Sequence, residues 1–189
     1  VEAIANSKLL LTYTCDLRPT LDEQEALSAF LENGGRWFAL HATNALLDFV
    51  EGKADTPDIA PKFMELLGSR FIAHPANQKI KIRVTDLKHP LTSEIEDFEV
   101  EDEEPYYCEP TGKQLVLLEA SYNEPSVGYV RSNYGTDRES HPQMYIHDHS
   151  KTPHPLPFQR FTRRLERLNP AFRCCRHRNA VQNAVERRF

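Results

Sequence analysis

Four side chains stand out for what they could do together: His41, His74, Glu104 and Tyr106. An imidazole titrates near pH ~6.5, so His41 or His74 could act as base, acid or metal ligand. A carboxylate such as Glu104 can orient an imidazole or accept a proton, and the Tyr106 phenol can hydrogen-bond a hydroxyl or stack on an apolar ring face. Brought together, the four would form a candidate catalytic set. His41, His74 and Glu104 would also suit a divalent metal such as zinc with water in an open position. The plainer alternative for His41 is an imidazole that hydrogen-bonds the loops around it. Long sequence separations mean that any convergence must be supplied by the fold.

Other chemistry-bearing residues read more simply. His141, His147, His149 and His154 form a second histidine-rich interval, in which His147 and His149 could share a strand face, although a solvated loop or tail is the stronger expectation. His89-Pro90 should set a turn, because proline restrains the residue before it. Cys15, Cys108, Cys174 and Cys175 lack zinc-finger spacing and are too sparse for a disulfide scaffold, which favours a reducing, cytoplasmic setting. The adjacent Cys174-Cys175 pair reads as incidental. No glycine-rich phosphate loop, serine elbow or dinucleotide fingerprint is present.

The elements that must position these groups follow from apolar patterning. Leu9 to Thr14 is a continuous β-prone run suited to a buried parallel strand. Thr20 and Glu23 form a capping box ahead of a helix whose stripe is Leu27, Phe30 and Leu31, and Gly34-Gly35 ends it. Arg36 to His41 is a second strand, completing a parallel crossover unit with His41 at the strand-to-helix turn, where ligand crevices form in parallel α/β proteins. A short apolar helical stretch is expected from Ala45 to Val50, and a helix from Pro57 to Leu67 stopped by Gly68. Arg70 to Pro75 reads as irregular, and Lys79 to Val84 as a half-exposed or edge strand. Eight of the eleven residues from Glu94 to Glu104 are acidic, which suggests a solvated loop anchored by Ile95, Phe98 and Val100. Strands are expected at Gln114 to Ala120 and Gln143 to His147. The resulting expectation is a mostly parallel, doubly wound α/β sheet.

The 189 residues carry 27% charged and 40% hydrophobic side chains, the composition of one globular domain. No stretch approaches the roughly 20 apolar residues of a membrane span. Charge is uneven: Val1 to Asp137 carries 12 basic and 24 acidic residues, whereas Arg138 to Phe189 carries 11 basic and 4 acidic. Arg160, Arg163, Arg164 and Arg167, followed by Arg173, Arg176 and Arg178, could meet nucleic-acid phosphates. Without a reading module, and with an acidic remainder that repels phosphate, nucleic-acid binding is disfavoured.

A distributed set of blocks resembles the ThuA-like, or trehalose-utilisation, family. These are Gly34-Gly35 with Phe38-Ala39-Leu40-His41-Ala42, Leu66-Leu67-Gly68-Ser69-Arg70-Phe71 with His74-Pro75, Asp86 with His89-Pro90-Leu91-Thr92, and Glu103-Glu104-Pro105-Tyr106. The resemblance covers about Leu9 to Ser121. It implies a three-layer, flavodoxin-like fold of the class I glutamine amidotransferase type over residues 1–149, lacking the family's first strand-helix unit. Residues 150–189 then read as an atypical basic segment, without glycine or a convincing apolar strand, packed on the domain; a divergent, misconnected or frame-shifted ending all fit.

The resemblance further implies a role in carbohydrate or disaccharide utilisation, through acid-base or metal-assisted processing of a sugar derivative. The alternative is a noncatalytic sugar-binding or structural, partner-binding module. His41 stands where related amidotransferase domains place their nucleophilic cysteine, which disfavours glutamine hydrolysis through a thioester. A small-molecule sugar is the expected partner, and a homodimer is plausible if exposed sheet edges need covering.

Overall fold

The computed structural model describes residues 2–149, in the order α1 (Glu2–Ala5), β1 (Leu9–Tyr13), α2 (Leu21–Glu32), β2 (Arg36–Leu40), a 3-10 turn (His41–Asn44), β3 (Asp48–Val50), β4 (Lys53–Asp55), α3 (Pro61–Leu67), β5 (Ser69–Ala73), β6 (Gln78–Val84), β7 (Phe98–Glu103), β8 (Tyr107–Pro110), β9 (Gln114–Ala120) and β10 (His141–His147). The arginine-rich interval, His154, Cys174 and Cys175 lie outside the described residues.

Helix α2 starts as its residues dictate. The Thr20 side chain accepts from the Glu23 N–H, and the Glu23 carboxylate accepts from the Thr20 N–H at 2.8 Å. Its buried face, Leu27 and Phe30, meets Phe63, Met64, Leu66 and Leu67 of α3, with Trp37 of β2 packed alongside. Pro61 opens α3 at the position where a missing N–H costs nothing, and Gly68 closes it in the left-handed conformation at φ 79°.

The described strands form four sheets, and only one of these is parallel. β1 pairs in parallel with β2, with Leu9 opposite Arg36 and Tyr13 opposite Leu40. β3 and β4 form a hairpin turned by Glu51 and Gly52, both at positive φ, as a tight two-residue turn requires. β5 pairs antiparallel with β8. The largest sheet runs β10-β9-β6-β7, with each neighbouring pair antiparallel.

This corrects the expectation of a mostly parallel, doubly wound, three-layer sheet: the fold is α/β with mixed, mostly antiparallel strand order. Parallel neighbours need a long crossover, usually helical, whereas antiparallel ones can be joined by turns. Among the described residues no α-helix follows Leu67, so the later strands fold back on one another. The alternation in β6 fits that arrangement, with Ile80 and Ile82 buried and Lys79, Lys81 and Arg83 outside.

Other expectations change with it. β6 is an inner strand, and the acidic interval supplies the edge strand β7, whose Phe98 and Val100 pack against Ile80, Ile82 and Tyr122 while its carboxylates face water. Residues 70–75 contribute the buried strand β5, and the helical stretch expected after His41 is a 3-10 turn followed by β3. β1 is not covered on both sides, because Leu9, Leu11 and Tyr13 are exposed along one face.

Candidate functional site

The four candidate side chains all sit at strand ends. His41 follows β2, His74 follows β5, Glu104 follows β7, and Tyr106 precedes β8. The antiparallel register of β5 and β8 pairs Ala73 with Tyr107, so their neighbours His74 and Tyr106 lie side by side, with ring centroids 5.8 Å apart and nearly parallel planes. The parallel register of β1 and β2 places Tyr13 beside the end of β2, where its ring stacks on His41 at 5.1 Å and 12°.

His41 has φ 52°, the left-handed region, which costs a residue with a side chain about 1–2 kcal/mol. The turn that imposes this conformation is tied down at several points. Buried Thr43 donates its hydroxyl to the Leu40 carbonyl at 2.8 Å and reaches Thr12, which also accepts from the Trp37 indole N–H. Asn44 donates to Ser69 at 2.7 Å, joining the turn to β5. Strained backbone held by surrounding structure is a common feature of binding and catalytic sites.

Tyr106 is the centre of the arrangement. Its hydroxyl donates to a Glu104 carboxylate oxygen at 3.0 Å, and its oxygen lies 3.3 and 3.4 Å from the two His41 ring nitrogens, so it can accept from an imidazole N–H. His41 and Glu104 approach to 3.8 Å. The phenol ring packs edge-on against buried Phe71 at 4.6 Å, and Ala42, Ala45, Phe71 and Tyr129 form an apolar floor with it. Burial, then the charge of Glu104 and the hydrogen bond to it, push the Tyr106 phenol far above the ordinary tyrosine range. It is therefore a fixed hydroxyl donor at any physiological pH.

The site remains open to water, with the His41 side chain 25% and the Glu104 side chain 34% exposed. Nearby thiols are held in their protonated form. Burial pushes Cys108 up to about 11, while burial, Asp16 and Glu104 raise Cys15, so both stay protonated near neutrality.

The divalent-metal expectation fails on geometry. Among the described residues no group of three or more His, Cys, Asp or Glu side chains is placed to hold a metal ion. Both imidazoles pack on the Tyr106 ring, and His74 turns Nδ1 to the Pro75 carbonyl at 2.7 Å. With a carbonyl as partner, that nitrogen carries the hydrogen, which leaves Nε2 as the ring's acceptor.

The second histidine interval is structural where it is described. His141, expected in a wet loop, is 1% exposed, stacks on Tyr122 at 4.4 Å and donates from Nε2 to the Tyr122 carbonyl. His147 and His149 do meet, with rings 4.4 Å apart, but each is bonded to a main-chain carbonyl, of Lys113 and Leu66 respectively. His89 organises its turn: its Nδ1 accepts from the Leu91 N–H and its carbonyl from the Thr92 and Ser93 N–H groups.

Sequence reasoning missed Tyr13, Phe71 and Tyr129 as parts of this site. The parallel register signalled Tyr13 in principle, since strand-end neighbours share one mouth. Nothing local marks Tyr129, which reaches His74 at 5.3 Å from a loop joined to β4 by main-chain bonds at Ala54.

Fold and site together define an α/β domain whose strand ends gather an aromatic-walled cluster of imidazole, carboxylate and phenol. The family model described as ThuA, trehalose utilisation, matches residues 4–154, and the chain belongs to that family. Among solved structures, a ThuA-like protein from Bacteroides uniformis ATCC 8492, determined at 2.30 Å, resembles it with TM-score 0.53 and 21% sequence identity, covering 77% of this chain and 55% of that one. The chain thus spans little more than half the length of that structure, and the likeness concerns the fold. Comparison with curated proteins returns no match. No helix among the described residues is long and apolar enough to cross a membrane.

Proposed function

We propose that this ThuA-family protein binds a carbohydrate at the cluster of His41, His74, Glu104 and Tyr106 without transforming it. One observation carries the reading: Tyr106, locked neutral, bridges Glu104 and His41 while its ring and those of Tyr13, His41 and His74 form an aromatic wall. A sugar ring has hydroxyl edges and apolar C–H faces, and a few fixed polar groups beside aromatic surface match both. Within the cluster, the phenol cannot serve as a phenolate base and both neighbouring thiols are protonated. Glutamine hydrolysis through a thioester accordingly lies outside this proposal.

A second reading, acid-base processing of a sugar derivative, is favoured by the strained backbone at His41. One experiment separates the two. Titration calorimetry with neutral mono- and disaccharides, followed by product analysis of the same mixtures, should show saturable binding and unchanged sugar. A product that disappears in His41→Ala would establish the catalytic reading, and neither binding nor conversion across the panel would refute both.

A further inference from the structure

The turn that carries His41 is held from two directions. Thr43 ties it to its own sheet, through the Leu40 carbonyl and Thr12. Asn44 reaches the other way: its side-chain amide donates to Ser69 of β5 at 2.7 Å and to the Cys108 sulfur of β8 at 3.5 Å. His74 and Tyr106 stand at the far ends of those same two strands. The Asn44 side chain therefore helps to set where His41 lies relative to Tyr106. At 3.3 and 3.4 Å, that contact is at the long end of the hydrogen-bond range, and a small displacement of the turn would end it.

The link does not stop at Ser69. The Ser69 hydroxyl, on a residue 1% exposed, lies 2.7 Å from the Tyr145 hydroxyl of β10, which in turn lies 2.9 Å from the Leu67 carbonyl. Counting hydrogens fixes the direction. A carbonyl only accepts, so Tyr145 commits its one hydrogen to Leu67. Ser69 must then donate to Tyr145, and its oxygen is left to accept from Asn44. Leu67 is the last residue of α3, where helix carbonyls lack a partner within the helix, so the far end of the relay rests on fixed backbone. Burial pushes the Tyr145 phenol above the ordinary tyrosine range, and it keeps the hydrogen that the relay needs.

We propose that Tyr145 and Ser69 are positioning residues for the candidate site: acting through Asn44, they hold the turn after β2 and fix the His41 imidazole in its place beside Tyr13 and Tyr106. Each link depends on the next, because a hydroxyl that loses its acceptor is free to rotate away from its donor. The relay concerns how the site is held and does not depend on which ligand occupies it.

The test uses the full chain without ligand, and reads the His41 and His74 imidazoles and the turn amides by nuclear magnetic resonance. Tyr145→Phe keeps the ring and removes only the hydroxyl. Amide exchange from Ala42 to Asn44 should become about tenfold faster, as expected for the loss of one hydrogen bond. The His41 ring signals should move as stacking on Tyr13 loosens, while those of His74, held by the Pro75 carbonyl, should stay in place. Ser69→Ala should displace His41 in the same way, and the double variant should do no more than either single one, since both cut the same relay. Each substitution removes a single oxygen, and either alone decides should the other fail to fold. Unmoved His41 signals in a folded variant, equal displacement of His41 and His74, or additive effects of the two substitutions would each overturn the proposal.

Discussion

The Tyr106 hydroxyl donates to Glu104 at 3.0 Å, and this commits its hydrogen and leaves its oxygen as an acceptor towards His41. The phenol thereby sets the direction of a three-residue hydrogen-bond chain. Tyr106→Phe keeps the ring against Phe71 and removes the bridge. Sugar affinity should fall roughly tenfold, matching about 1–1.5 kcal/mol for one hydrogen bond, with the near-ultraviolet circular dichroism otherwise native. Unchanged affinity would remove the phenol from the binding site.

His41 separates backbone from side-chain effects. Its φ of 52° suits glycine better than alanine, so His41→Gly should be more stable than His41→Ala by about 1 kcal/mol in urea denaturation, although both lose the stacking on Tyr13 and the ligand contacts. Equal stability of the two variants would mean that the left-handed turn imposes no strain.

Gly68 is constrained twice. It is left-handed, and a Cβ added there would lie 2.7 Å from the His147 ring. Gly68→Ala should therefore destabilise by more than about 1 kcal/mol. Adding His147→Ala should recover part of the loss by relieving the steric contact but not the backbone conformation. An additive double-mutant cycle would contradict this coupling.

Burial, and to a smaller degree Arg138, hold the His141 imidazole below its ordinary range, against the opposing influence of the Tyr122 carbonyl and Asp137. The unfolded chain then binds more protons than the folded one at pH values between the depressed pKa and about 6.5. This histidine should make stability rise with pH through that window and should weaken the fold as the solution is acidified below about 6.5. Urea midpoints measured from pH 5 to 7.5 should slope more steeply for the native chain than for His141→Phe. Identical slopes would show that His141 does not titrate on unfolding.

Much of the local structure was legible because short-range chemistry determines it. Thr20 and Glu23 marked the start of α2, Gly68 the end of α3, and the apolar runs marked β1, β2 and β9. The positions of His41, His74, Glu104 and Tyr106 at strand ends were less accessible. A turn placed His41, but β5 lay hidden in a segment read as irregular and β7 in a run whose carboxylates masked the alternation of Phe98 and Val100. The error in strand direction had a different origin. One capped helix between two apolar strands was extended to the whole chain, whereas the helices needed for further crossovers are absent among the described residues after Leu67. Tyr129 could not be anticipated, since long-range packing of a loop brings it to His74.

The cluster straddles three sheets that share no strand: His41 belongs to the end of β1-β2, His74 and Tyr106 to β5-β8, and Glu104 to the four-stranded sheet. A molecule seated across them would act as a rivet through seams that no main-chain ladder closes. Its grip would be felt as slower local opening where the sheets abut, as much as in the affinity itself.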